Sequence, residues 1–328
     1  MTDSASPHSG TGRVAVGFDI GGTNLRGSVV DIDGTVIDTE NLPTPSSLTA
    51  MDRAIARIVD KLASRNNIGA VGLAVAGFLD PSCNRVRFAP HLPWRNVEVK
   101  TRLEDLLGLP VRLEHDANAA AWGEYRFGAA QGAKIWTLFA IGTGIGGALM
   151  INGTIYRGSF GTAPEFGHVT VVPEGRPCPC GKRGCLERYC SGTALATTAK
   201  EIIASGEFPV GDSCLATRHA ADSDTITGRL VMQCARRGDP VALAVFDSFA
   251  GWLGSGLSLV GDVLDPELIV IGGGVAAASD LYYDRAVDAY AAQLTGSGHR
   301  PLARIETTRL GGDAGMIGVA DLARGLMA

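Results

Sequence analysis

Charge is scarce in this chain, and basic charge does not cluster. Asp, Glu, Lys and Arg make up 19% of 328 residues, and 34 acidic groups against 29 basic ones leave a net charge of −5. No basic block stands out, which removes the electrostatic footprint of a nucleic-acid binder. Small anionic ligands must then be met by local backbone sites. Runs of membrane type are missing too: the most apolar stretch, 242–264, carries Asp247, Asp262 and four glycines and reads as a buried helix, with no membrane partner expected. The first twelve residues are small and polar and lack the apolar core of a signal peptide, so a disordered tail over 1–12 and a cytoplasmic protein are expected. Cysteine is sparse, with seven in all. Disulfides are rare in the cytosol, so any cysteines that cluster point to metal or catalysis. The phosphate loop Gly-x-x-x-x-Gly-Lys-Ser/Thr is absent, which excludes that class of nucleotide-binding protein.

What is present is an ordinary globular composition, 45% hydrophobic, at a length that suggests two domains. The apolar run 14–18 leads to Asp19, Ile20, Gly21, Gly22, Thr23 and Asn24; 25–30 reads as a second strand, Asp33-Gly34 as a tight turn and 35–38 as a third strand. Helical spacing of Ile55, Ile58, Val59 and Leu62 predicts a helix over 50–64. A buried strand over 70–76, a helix over 102–107 stopped by Gly108 and Pro110, a strand over 111–113 and an alanine-rich helix over 117–124 come next. The opening then repeats. Strand 135–141 ends in Gly142, Thr143, Gly144, Ile145, Gly146 and Gly147; 148–151 is a strand, Asn152-Gly153 a turn and 154–156 a strand. A duplicated α/β architecture is the consequence. Near the C-terminus, strand 268–271 closes on Gly272, Gly273 and Gly274, where a helix is expected to begin, and Gly311-Gly312-Asp313 leads into a last helix.

Glycine turns of this kind free backbone N–H groups, and hydroxyls such as Thr23 and Thr143 add donors, so each turn can hold phosphate or can simply serve a tight hairpin. Gly142, Gly144 and Gly147 match the dinucleotide fingerprint, but a strand comes next where that fingerprint needs a helix, so the dinucleotide reading is rejected. Asp19, at a strand end beside such a turn, suits Mg²⁺ held through water, or a hairpin role. Asp116 also lies between a strand and a helix; it suits a helix cap, or a general base for a hydroxyl attacking a phosphoryl group.

Three of the seven cysteines crowd into 178–185. With His168, Cys178, Cys180 and Cys185 form a full tetrahedral set for zinc, and a closed four-ligand site is structural. A disulfide would leave one thiol over, a catalytic thiol lacks an evident base, and Cys190 is a rival fourth ligand. Cys83, Cys214 and Cys234 read as plain core or surface residues. Glu165 and Glu187 flank the knot, where paired carboxylates can read sugar hydroxyls, or stand as surface glutamates.

The segments DIGGTNLRG, EHDANAAAWGE, IGTGIGG, EFGH, CPCGKRGCLE and IGGG stand in the order of the ROK family, which the chain resembles from about Val14 onward. WGEYRFGA and ERYCSG are most similar to its ATP-dependent actinobacterial glucose kinases. The resemblance implies an α/β, actin/hexokinase-like (ribonuclease H-like) duplicated fold whose two domains close over a cleft. It implies a small domain over 13–121 with the C-terminal segment 313–328 packed back on it, and a large domain over 122–312 with the zinc site. It implies phosphorylation of glucose at the 6-hydroxyl by ATP with Mg²⁺, Asp116 acting as base. Gly77, His91, His115, Glu165, His168 and Glu187 would join Asp116 at the sugar, His168 offering one ring nitrogen to zinc and the other to substrate. Asp19, Gly21, Gly22, Thr23, Asn24, Gly142, Thr143 and Gly144 would hold phosphates, with Gly273 and Gly274 near the adenosine. A homodimer or homotetramer is implied as well.

Departures from the family pattern bear on the substrate. His115 and His91 stand where the family often has Asn, and Pro164 replaces a commoner small residue. Imidazole can donate and accept but does not copy an amide's geometry, and histidine titrates near neutrality, so a pH-dependent KM is expected. Alternatives are a kinase of another hexose or aminosugar (fructose, mannose, N-acetylmannosamine), a polyphosphate glucokinase, or a sugar-sensing regulator. ROK regulators carry a helix-turn-helix ahead of the shared domain; only a short segment precedes Val14 here, which favours an enzyme.

Overall fold

The computed structural model describes residues 12–327, so the expected tail lies, but for its last residue, outside the described residues. Two compact units emerge: one runs up to Gly123 and resumes at Gly315, and the other spans Glu124–Ala314.

In the first unit, β1 (Val14–Ile20), β2 (Asn24–Val30) and β3 (Val36–Pro43) form an antiparallel meander. The turn between β2 and β3 is organised by Asp31, whose Oδ1 accepts from the N–H groups of Asp33 (3.0 Å) and Thr35 (2.8 Å). An edge strand with alternating burial, β3 runs five residues past the expected end at 38. Helix α1 (Leu48–Ala63) buries Met51, Ile55, Ile58, Val59 and Leu62 at the spacing that announced it. Strand β4 (Ile68–Val75) is buried along its whole length because it lies between two parallel neighbours, β1 and β8 (Val111–His115). Between them the chain makes a small sheet of β5 (Phe78–Leu79), β6 (Val86–Phe88) and β7 (Arg95–Val97), then α2 (Val99–Leu107), which ends at left-handed Gly108. Helix α3 (Asp116–Phe127) continues directly from β8.

The second unit repeats the plan. Strands β9 (Ile135–Ile141), β10 (Ile145–Ile151) and β11 (Thr154–Tyr156) form the meander. Helices α4 (Gly192–Ser205), α5 (Cys214–Ala221), α6 (Gly228–Ala235) and α7 (Pro240–Leu264) precede β12 (Leu268–Gly272), α8 (Tyr283–Gln293) and β13 (Arg304–Thr307). The sheet orders are β3-β2-β1-β4-β8 and β11-β10-β9-β12-β13, with the same sense at every pairing. The helix expected straight after β12 does not form there. Val275 sends its N–H to the Ile141 carbonyl (3.0 Å), a 3₁₀ turn covers Ala276–Leu281, and α8 starts only at Tyr283. Helix α7 is, among the described residues, the one long and apolar enough to cross a membrane, yet more than half of its apolar window is buried.

Helix α9 (Ala314–Arg324) completes the first unit. It lies so close to the sheet that a Cβ at Gly72 would run into the Val319 carbonyl oxygen. Trp122 Nε1 donates to Asp321 Oδ2 (2.8 Å), and Arg324 donates to the carbonyls of Val30 (2.9 Å) and Asp31 (2.6 Å), so α9 is tied to α3 and to the β2–β3 turn.

Candidate active site

In the first unit, Ile20 pairs with Val75 and Val75 with His115 across three parallel strands. Their carboxyl ends are therefore level, and the segments leaving them gather along one sheet edge, where α/β folds bind ligands. There lie the Gly21–Thr23 turn, Gly77, and the His115–Asp116 pair. The turn is held by Gly21 N–H to the Asn24 carbonyl (3.0 Å), and Thr44, which the sequence did not single out, pins it with Oγ1 on the Gly21 carbonyl (2.6 Å). Asp19 faces Arg26 in the β1–β2 register, and its carboxylate shares that cation at 3.7 Å. Exposed His91 lies against Gly22, and Gly77 lies against Phe88 and Ala89. The loop carrying His91 is ordered from within by Arg95. Its guanidinium donates to the carbonyls of Ala89, Leu92, Trp94 and Pro90 and covers the Phe88 ring at 4.5 Å.

Asp116 is the first residue of α3, where the unpaired N–H groups and helix dipole favour an anion. Its Oδ1 accepts from the Ala117 N–H at 2.8 Å and lies 3.3 Å from His115 Nε2. Both contacts fall on Oδ1, and the side chain is 49% exposed, so Oδ2 is the oxygen left open. Beneath the pair Glu114 is fully buried; it accepts from Arg112 Nη2, Asn118 Nδ2 and the His115 N–H, each at 3.2 Å.

In the second unit β9 and β12 run parallel, with Gly272 opposite Ala140, so the Gly142–Gly144 turn and Gly273–Gly274 share the carboxyl edge. The turn leans on the start of α4: Gly192 N–H reaches the Gly142 carbonyl and Thr193 Oγ1 the Thr143 carbonyl, both at 2.8 Å. Gly142, Thr143 and Gly274 line one cavity of about 630 Å³ together with Gly192, Thr193, Ala196, Thr227, Gly228, Arg229, Met232 and Val275. Sequence reasoning missed α4 and α6 here. Their capping signals, Ser191 before Gly192-Thr193 and Thr227 before Gly228, mark the helix starts but not where they point.

The histidine–cysteine segment folds onto this edge. Glu165 and His168 bracket a 3₁₀ turn whose Phe166 stacks on Phe139 of β9 at 4.9 Å. Leu186 N–H returns to the Val169 carbonyl (2.9 Å), and Arg176 ties the knot to α4 through Thr198 Oγ1 (3.0 Å) and Glu201. The donor atoms of His168, Cys178, Cys180 and Cys185 all lie within 4.8 Å of one another. Cys180 Sγ to Cys185 Sγ is 3.6 Å and Cys178 Sγ to His168 Nδ1 is 3.7 Å. Ligands at about 2.3 Å from a tetrahedral ion stand about 3.7 Å apart, so the set fits such a metal. Cys190 is apart from it, buried with its sulfur towards the Leu186 carbonyl (3.7 Å), and burial pushes its thiol up. Burial also pushes Cys178 up; at Cys180 burial is outweighed by the Lys182 N–H, the neighbouring thiols and the Lys182 charge, which bring that thiol down. Glu187 joins the two features. One carboxylate oxygen accepts from Cys178 Sγ (3.1 Å) and lies 3.7 Å from His168 Nδ1, and the other sits where a Cβ on Gly144 would be.

Two units built on the same five-stranded plan, each with a glycine turn after its first strand and candidate ligand groups along the carboxyl edge, define the actin/hexokinase-like class. The chain belongs to the ROK family, whose pattern matches residues 15–325. It is 39% identical over 311 residues to a glucokinase of Streptomyces coelicolor, across 95% of this chain and 98% of that one. It resembles the crystal structure of a ROK family glucokinase from Streptomyces griseus in complex with glucose and AMPPNP, with a TM-score of 0.83, 40% identity, and coverage of 95% of this chain and 99% of that chain. It also resembles a ROK family transcriptional regulator, a homologue of the E. coli MLC protein, with a TM-score of 0.84 at 25% identity over 96% of this chain and 79% of that one.

Proposed function

We propose that this protein is a cytoplasmic ATP-dependent glucokinase, moving the γ-phosphoryl group of MgATP to the 6-hydroxyl of glucose. The observation that carries this reading is the cavity in which Gly142, Thr143 and Gly274, nominated for nucleotide from separate segments, come together. The likeness to a glucokinase solved with glucose and AMPPNP supports it. Asp116 Oδ2 accepts the hydroxyl proton as the sugar oxygen attacks phosphorus, while Ala117 N–H and His115 hold Oδ1 in place. Glu165, Glu187 and the His168 nitrogen turned from the cysteines read the remaining hydroxyls, and Gly77 and His91 contribute at the sugar from their loops. The turns after β1 and β9 contact phosphate through backbone N–H groups and the hydroxyls of Thr23 and Thr143. His168, Cys178, Cys180 and Cys185 would hold a structural zinc, which would fix the orientation of His168 and Glu187.

The TM-score of 0.84 to a transcriptional regulator keeps a sugar sensor as the second reading. ADP release from MgATP decides, with glucose, mannose, fructose, N-acetylmannosamine or no sugar, and polyphosphate as a rival donor. Strong glucose-dependent release is expected, falling by about 10²–10⁴ in Asp116→Asn while glucose binding by calorimetry persists. Release with another hexose alone would make His91 and His115 the specificity determinants. Binding of sugar without release from any donor would overturn the kinase in favour of the sensor.

A further inference from the structure

A second group of ligand-type side chains lies outside the histidine–cysteine knot, at the start of α5 and the end of α6. Cys214 opens α5 and is exposed; Cys234 is in the last turn of α6 and is buried. Their sulfurs are 2.6 Å apart, although 20 residues separate them in sequence. Asp239 locks this arrangement. It caps α7 through the Ala242 N–H (3.0 Å) and also accepts from the Cys214 N–H (2.8 Å) and from Ser213 Oγ (3.0 Å), the cap of α5. Its own N–H donates to the Cys234 carbonyl (3.1 Å). The start of α5, the end of α6 and the start of α7 are thus held by one residue, and both thiols are carried on that frame.

Cys214, Cys234 and Asp239 could be taken for a metal site. The sulfur separation argues against it: thiolates sharing one ion stand about 3.7 Å apart, as Cys180 and Cys185 do at 3.6 Å. At 2.6 Å the pair is inside the contact distance of two unbonded sulfurs, and the chemistry open to it is bond formation. We propose that Cys214 and Cys234 are a reversible dithiol–disulfide site, oxidised by exchange with a low-molecular-weight disulfide. The exposed Cys214 thiolate attacks one sulfur of that disulfide and expels a thiolate. The Cys234 thiolate then attacks the Cys214 sulfur and expels the second, so two protein thiols are oxidised and one disulfide is reduced to two thiols. Cys214 is exposed as a residue, but its sulfur packs against Cys234; that local burial, with Cys234 and Asp239 beside it, pushes the thiol up to about 12, so the first step is slow at neutral pH and faster in alkali.

The bond would staple α6 to α5. Because α6, through Gly228, Arg229 and Met232, and its cap Thr227 also line the 630 Å³ cavity, the oxidation state of the pair should be felt by whatever occupies that cavity; this consequence rests on reading the cavity as the nucleotide site.

The test uses the zinc-loaded full chain and oxidised glutathione at alkaline pH, followed by alkylation, intact mass and peptide mapping. Expected is a loss of two hydrogens and a crosslinked peptide pair containing Cys214 and Cys234, reversed by dithiothreitol and absent in Cys214→Ser and in Cys234→Ala. Full alkylation of both thiols, or a glutathione adduct on Cys214 that never closes onto Cys234, overturns the site. A kinetic arm compares the oxidised, reduced and Cys214→Ser proteins. The KM for MgATP is expected to move by about twofold or more on oxidation of the native chain only, with the KM for glucose unchanged. A crosslink with no change in KM overturns the coupling. Mapping does not depend on turnover, so a protein without kinase activity would sink the functional reading and leave the disulfide result standing.

Discussion

Single carboxylates carry much of this molecule, and their surroundings separate their roles. Asp116 is half exposed and holds one oxygen open, which suits proton transfer. Glu124 is the opposite case. It is fully buried and accepts from the backbone N–H groups of Ala129 (2.7 Å), Leu310 (2.9 Å) and Arg309 (3.1 Å), joining the end of α3 to the segment after β13. Glu124→Gln keeps the shape but leaves one acceptor oxygen and places an NH₂ group against N–H donors. A loss of about 2–3 kcal/mol is expected, read as a lower urea midpoint with unchanged slope. Stability within error of the native chain would show that the three bonds contribute little net.

Helix ends and crossings concentrate the sensitivity at the scale of elements. Asp239 caps α7 and secures the start of α5. Burial alone would raise its carboxyl, but the Ala242 N–H, Cys214, Ser213 and the Leu215 N–H outweigh that and hold it below the ordinary carboxylate range. A carboxyl lowered in the folded state contributes stability above its unfolded value of about 4 and loses it as pH falls through the folded value. Asp239→Asn should therefore destabilise the protein at neutral pH and leave a shallower fall in thermal midpoint below about pH 4. Parallel acid limbs in the two proteins would exclude Asp239 as a contributor. The seat of α9 on the sheet is equally specific. Gly72→Ala puts a methyl group into the Val319 carbonyl, so α9 must lift, at a cost of about 1–3 kcal/mol. Differential thermal melts would detect it, and an unchanged midpoint would mean that α9 shifts without penalty.

For the whole molecule, the duplicated plan gives each unit its own sheet and its own glycine turn, and among the described residues the histidine–cysteine knot lies in the second unit. The segment 169–185 has little regular structure of its own and is held by scattered backbone bonds and by Arg176, with three cysteines brought close to His168. With zinc in the knot as proposed, its removal by a chelator should lower the thermal midpoint and raise the KM for glucose more than that for MgATP, with both restored by zinc alone. An equal rise in both constants would mean that the knot supports the unit generally and does not order the sugar-reading residues.

Much of this was legible in the residues. Strand β9 and the buried face of α1 derive from apolar spacing, a property of neighbours along the chain. The duplication is readable because each half repeats a strand, a glycine turn and a tight hairpin, and the four metal-type ligands stand within eighteen residues, 168–185. Other features required the fold. Which oxygen of Asp116 is open, and the carboxylate of Glu187 lying against Gly144, are through-space facts. The cavity draws on segments near 142, 192, 228 and 274, and Cys214 meets Cys234 where Asp239 joins three helix ends. Local sequence sets backbone preference and periodicity, but the approach of distant segments is decided by packing, and packing leaves no periodic trace in any one of them.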